Sequence, residues 1–152
     1  MHISCTQENL AKGVAAVSRL VGARSTLPIL SNILLSTDKG RLTLSGTDLE
    51  VALIVSIGAK VEKEGSITVP ARLLADFVSS IQDKTINLSV ENTQIIAKSD
   101  HVSAHINGLD AEDFPLIPTV TSDQSYHIKP SDLKEAITQV VIATAHDETR
   151  PV

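Results

Sequence analysis

The sequence predicts an α+β fold: a pseudo-twofold repeat of strand–helix–three-strand units, with two helices packed on antiparallel sheet. Three observations predict it. A strand-into-helix pattern occurs at His2–Val21, at Ser66–Ile81 and again at Tyr126–Ala143, with copies about 60 residues apart. After each of the first two copies, short alternating apolar runs are separated by turns containing Asp, Gly or Asn, which is hairpin chemistry. Hydrophobic residues make up 42% and aromatics only 2%, so the core is aliphatic and of ordinary globular size.

The first helix is predicted from about Gln7 to Val21, N-capped by Thr6, with Leu10, Val14, Val17 and Val21 on its apolar face. Lys12 and Arg19 stack on another side, because seven residues drift only about 20° around a helix. Gly22 is a C-terminal stop, and Pro28 biases Leu27 towards extended geometry. Strands follow at Ile29–Thr37, Arg41–Ser45 and Leu49–Ile57. The second unit repeats the order: strand Ser66–Val69, helix Pro70–Ile81, then strands Thr85–Val90, Thr93–Lys98 and His101–Asn107. Proline at the first helical position costs no intrahelical hydrogen bond. Leu73, Leu74, Phe77, Val78 and Ile81 are the expected apolar face of this helix.

These readings divide the chain into one domain over residues 1–110, built of repeats at about 1–60 and 61–110. A linker follows over 111–122; counted from Asp110 to Pro118, the stretch around Phe114 holds two prolines and three acids. A third unit begins over 123–152, with strand Tyr126–Lys129 and a helix to about Ala145 burying Leu133, Ala136, Ile137, Val140 and Val141. So apolar a helix needs a partner sheet, so the native chain is expected to continue.

A net charge of −5 argues against an open basic surface, and the scarcity of aromatics against base stacking. Neither excludes a local basic face on an acidic body. Cys5, the single cysteine, reads as a small buried apolar residue and allows no intrachain disulfide. No zinc spacing or signal peptide is present, and the longest apolar run, Val51–Ala59, is too short to span a bilayer. The chain reads as a soluble protein of a reducing cytoplasm, with no membrane contact.

No phosphate-binding loop, dinucleotide fingerprint or nucleophile elbow occurs, and no cofactor or catalytic residue is expected. His101 and His105 share a strand face but lie about 13 Å apart, too far to share a metal. Asp48 and Glu50, with Thr47, read as turn chemistry in preference to a cation site. His146, Asp147 and Glu148 are adjacent and so do not face one another on regular backbone; a hydrolase built on His146 is the weakest reading. The cations say more. Arg72 falls in the first turn of the second helix, where the helix dipole favours an acid. Either it pairs with Asp76 one turn on, or both helices present a cationic face to phosphates.

At this point several motifs resemble the bacterial DNA polymerase III β subunit family, the sliding clamps. They are Arg24–Ile33 (RSTLPILSNI), Gly46–Glu50 (GTDLE), Thr68–Arg72 (TVPAR), Asp113–Pro115 (DFP) and Asp147–Val152 (DETRPV), in family order over the whole chain. The resemblance implies a DNA-clamp fold and a non-catalytic homodimeric ring of three domains per subunit around double-stranded DNA. Helices would line the hole and sheets would form the rim. The full-length protein would tether DNA polymerase III and be opened by a clamp loader. Residue by residue, Arg24 and Arg72 match positions near the DNA backbone. Lys12 and Arg19 join them on the inner face. Asp147 departs from the family's uncharged residue, which points to Arg150 as the neighbouring cation. The strand His101–Asn107 matches the edge that meets another subunit, with Ala104 and Ile106 expected to supply apolar contact. A second reading, from a different class, is a generic α+β protein-interaction module without DNA binding.

Overall fold

The computed structural model describes residues 1–21, 27–118 and 126–144. They belong to two compact units, Met1–Ile117 and Pro118–Val152.

The first unit opens with β1 (His2–Thr6), whose Ile3 and Cys5 are buried. The Thr6 hydroxyl accepts the Asn9 N–H at 3.4 Å and so caps α1 (Gln7–Ser18), satisfying one of the free donors of the first turn. α1 stops at Ser18, short of the predicted Val21, because the Leu20 N–H closes a tighter turn on the Val17 carbonyl at 3.1 Å. A 3-10 turn (Pro28–Ser31) replaces the first residues of the predicted strand; Pro28 has the fixed φ that suits a helical start. Then come β2 (Asn32–Asp38), β3 (Arg41–Thr47), β4 (Ala52–Gly58) and β5 (Lys60–Lys63). Between β2 and β3, Lys39 and Gly40 both have positive φ (46° and 77°). That pair matches the twist of a tight hairpin and explains the glycine.

The second repeat is β6 (Ser66–Pro70), α2 (Ala71–Ser80), β7 (Thr85–Glu91), β8 (Gln94–Lys98) and β9 (Ser103–Asn107). The predicted element order holds, with β5 added between the repeats.

The sheets do not follow the repeats. One has the order β4-β3-β2-β6 and the other β5-β1-β7-β8-β9, with antiparallel pairing throughout. Each repeat therefore gives its first strand to the other repeat's sheet: β1 pairs with β7 through Ile3–Leu88, and β6 pairs with β2 through Val69–Ile33. The sheets also meet at one corner, where Thr68 and Leu109 exchange backbone hydrogen bonds of 3.1 and 3.0 Å. There the Thr68 hydroxyl donates to the Leu109 carbonyl and accepts from buried Asn32, so the buried polar groups are paired.

One core fills this unit. Ile3, Leu10, Val14, Val17, Ile33, Leu35, Leu44, Val69, Leu74, Val78, Ile86 and Leu88 all belong to it. Each such aliphatic side chain contributes roughly 1.5–3 kcal/mol by leaving water. α1 lies against β3, β4 and α2. Beyond β9, Phe114 is buried and anchors the predicted linker, after a short 3-10 turn at Ala111–Asp113.

The second unit contains α3 (Pro130–Val140) and a 3-10 turn (Val141–Ala143). Here the expectation is corrected twice. Tyr126–Lys129 is not in a strand, having no ladder partner among the described residues. Leu133, Ala136, Ile137, Val140 and Val141 are exposed, Ile137 by 52%, because no sheet among the described residues covers the helix.

Candidate nucleic-acid interface

α1 and α2 form a side-by-side pair. Gln7, at the start of α1, donates its side-chain N–H to the Val78 carbonyl near the end of α2, at 2.9 Å. The helices thus run antiparallel, and the end of α1 with Arg19 comes to the side where α2 begins with Arg72. Between them runs a groove of about 230 Å³, lined by small residues such as Ala11, Ala15, Ala75 and Ser79, with Arg19 at its rim.

The cations differ in their freedom. Lys12 is exposed but engaged: its Nζ is 2.6 Å from Glu8 Oε1, one turn away. That hydrogen bond and the charge of Lys12 hold the Glu8 carboxyl below the usual carboxylate range. Arg19 and Arg72 are exposed, and neither makes an ion pair among the described residues. The Arg72–Asp76 alternative is therefore not realised. α2 has no acid in its first turn and no side-chain cap on its N–H groups. Its free donors and Arg72 thus put positive charge of two kinds at one helix end, a combination that suits a phosphate. Counting Glu8 and Asp76 against Lys12, Arg19 and Arg72, the pair carries three cations and two acids on an acidic protein. Arg24 and Arg150 lie outside the described residues.

The two residues expected at a subunit edge lie on β9, the last strand of the second sheet. Ile106 is buried and Ala104 packs against the core. Alternation sends both inward, and Ser103, His105 and Asn107 face out. α2 does not bury all the predicted residues. Ala71, Leu74 and Val78 are buried, whereas Leu73 is 55% exposed. At about 100° per residue, Leu73 sits a quarter-turn off the Leu74–Val78–Ile81 line.

The GTDLE turn is fully occupied with its own backbone. Asp48 Oδ1 accepts the N–H groups of Val51 (2.7 Å) and Glu50 (3.0 Å). The Thr47 hydroxyl donates to the Val51 carbonyl at 2.8 Å and accepts the Leu49 N–H at 3.0 Å. The Val51 bond foremost holds the Asp48 carboxyl below its ordinary range. This web keeps Leu49 at φ 79°, an uncommon conformation for a branched side chain. No cluster of three or more potential metal ligands occurs among the described residues, and no helix among them is long and apolar enough to cross a membrane. Sequence reasoning missed a partner for His101: its ring lies 2.8 Å from Asp83, which periodicity cannot reveal because Asp83 is in a loop.

A family model for the N-terminal domain of the DNA polymerase III beta subunit matches residues 1–118. The chain belongs to the DNA polymerase III beta subunit family. Among relatives, the beta sliding clamp of Synechocystis sp. (strain ATCC 27184 / PCC 6803 / Kazusa) is 36% identical over 163 residues, covering 100% of this chain and 41% of that protein. The beta sliding clamp of Pseudomonas aeruginosa is 35% identical over 152 residues, covering 99% and 41%. Among solved structures, the DNA polymerase III subunit beta of Pseudomonas aeruginosa superposes with a TM-score of 0.91 at 33% identity, covering 99% of this chain and 41% of that one. The beta subunit of Thermotoga maritima gives 0.89 at 25% identity, covering 97% and 41%. The chain thus spans about two fifths of the length of the relatives it matches.

Proposed function

We propose that this chain is the N-terminal portion of a sliding clamp, a non-catalytic subunit that encircles duplex DNA and tethers the replicative polymerase. The observation that carries the reading is the family match over residues 1–118, joined to a fold shared at a TM-score of 0.91. In this reading the α1–α2 pair faces the DNA. Arg72 and Arg19 meet phosphates directly, Lys12 contributes after leaving Glu8, and Arg24 and Arg150 are further phosphate contacts proposed from the family resemblance. Such contacts to the backbone carry no sequence information, which lets a ring slide. The acidic remainder of the protein discourages non-specific wrapping.

The edge of β9 pairs with another subunit through its backbone, with Ser103, His105 and Asn107 as its outward side chains. The full-length protein is a homodimeric ring working in the cytoplasm with DNA polymerase III and a clamp loader. It needs no cofactor. Two measurements test this. The full-length protein, loaded on closed circular DNA, stays bound until the circle is linearised; equal retention on both forms would overturn the reading. The 152-residue chain binds duplex weakly and without sequence preference. Arg24→Ala with Arg72→Ala lowers both the affinity and its salt slope, the slope by about 0.9 for each phosphate that is no longer neutralised.

A further inference from the structure

Away from the helix face, one cluster of titratable groups joins two loops. Asp83 lies between α2 and β7, with its side chain 16% exposed. Its Oδ1 is 2.8 Å from Nδ1 of His101, and its Oδ2 accepts the His101 backbone N–H at 3.3 Å. His101 belongs to the turn that leads from β8 into β9. That turn is closed on itself: the Ser99 N–H donates to the Val102 carbonyl at 2.8 Å, and the Val102 N–H donates to the Ser99 hydroxyl at 3.3 Å. A single carboxylate thereby fastens the hairpin that delivers the edge strand. The other end of β9 is tied separately, through Leu109 and Thr68.

We propose that Asp83 and His101 form a pH-dependent clasp that sets how firmly the leading end of edge strand β9 is held. The charged groups acting on His101 are Asp83, across the gap between the loops, and Asp100, in its own turn. The hydrogen bond to Asp83 is the larger influence, and both acids raise the imidazole pKa above its ordinary 6.5. Asp83 in turn is lowered from 3.8, first by the Ser99 hydroxyl and then by His101. The signs follow from linkage. The stabilisation from His101 is complete below its unfolded-state value and fades as pH rises through the raised folded value. That from Asp83 is complete above its unfolded-state value and fades as pH falls through the lowered folded one. The clasp is tightest in mildly acidic solution and slackens as the solution turns alkaline. Because the His101 side chain is 81% exposed, salt weakens the charged part of the contact.

If β9 pairs with a second subunit, a consequence that rests on the clamp reading, the clasp tunes the order of that edge. The test needs no ring and no DNA. In the 152-residue chain, nuclear magnetic resonance follows the His101 ring titration and the exchange of amides over residues 99–107 in wild type, Asp83→Asn and His101→Gln. Both changes are at loop positions and leave the core intact. Asp83→Asn is expected to lower the His101 pKa. Between about pH 6 and 8.5, exchange corrected for its intrinsic rate should quicken about threefold or more in wild type and stay level in His101→Gln. An unmoved His101 titration in Asp83→Asn overturns the clasp, as does the same pH response of the edge in wild type and His101→Gln. Either failure leaves the clamp reading standing.

Discussion

A Cβ placed on Gly108 would stand 2.1 Å from the Thr68 carbonyl oxygen, a backbone atom at the corner where the two sheets meet. No rotamer change can relieve that contact. Gly108→Ala should therefore destabilise the protein by about 1–3 kcal/mol or more, as overpacking does, read as a lower urea midpoint with an unchanged slope. Cys5 makes a chemical prediction. Burial pushes its thiol pKa from 9.0 up to about 11, so the thiolate is scarce at neutral pH. Since the thiolate is the reactive form, Cys5 in the native protein should resist Ellman's reagent at about pH 7–8. It should react only as fast as the chain opens, and reaction at the rate of a free thiol would contradict its burial.

Within one element, α2 separates neighbours that composition treats alike. Leu74 is fully buried, and Leu74→Ala should cost about 2–5 kcal/mol. Leu73 is more than half exposed, and Leu73→Ala should stay within about 0.5 kcal/mol. Chemical denaturation of the two variants side by side checks the assignment. Leu73 also marks how far the sequence is legible. Helical spacing locates α2 and most of its buried line, but a face of five residues is wider than the contact the sheet allows. In β9, period 2 shows that Ala104 and Ile106 share a side. It does not say which side the core lies on until α2 is placed; their interface role rests on the family resemblance alone. The i, i+4 spacing of Glu8 and Lys12 permits their pair just as it permits Arg72–Asp76; the structure adds that the first pair closes and the second does not. The turns are the most readable parts, because Lys39-Gly40 and Thr47-Asp48 follow local backbone chemistry that needs no tertiary partner. The candidate site comes from motif resemblance joined to Arg72's unfavourable place at a helix start; spacing alone leaves it undecided between an ion pair and a phosphate contact.

At the scale of the whole molecule, the repeat is visible in the sequence but the exchange of first strands is not, since β1 reads equally well as a partner for β2. The exchange makes each repeat incomplete by itself. Cutting the chain between Glu64 and Gly65 should give two pieces that each lack cooperative unfolding, and that recover it when mixed. Far-ultraviolet circular dichroism and a thermal melt would reveal this; an independently folded first piece would refute it. The exchange also has a consequence for synthesis. Ile3 must pair with Leu88, about 85 residues later, and at roughly 5–20 residues per second that strand is made on the order of ten seconds after the first. Until then the nascent chain carries a β1 whose central partner does not yet exist, beside hairpins already able to form. The rate at which the ribosome passes the second repeat thus decides how long this strand stays open to the wrong neighbours.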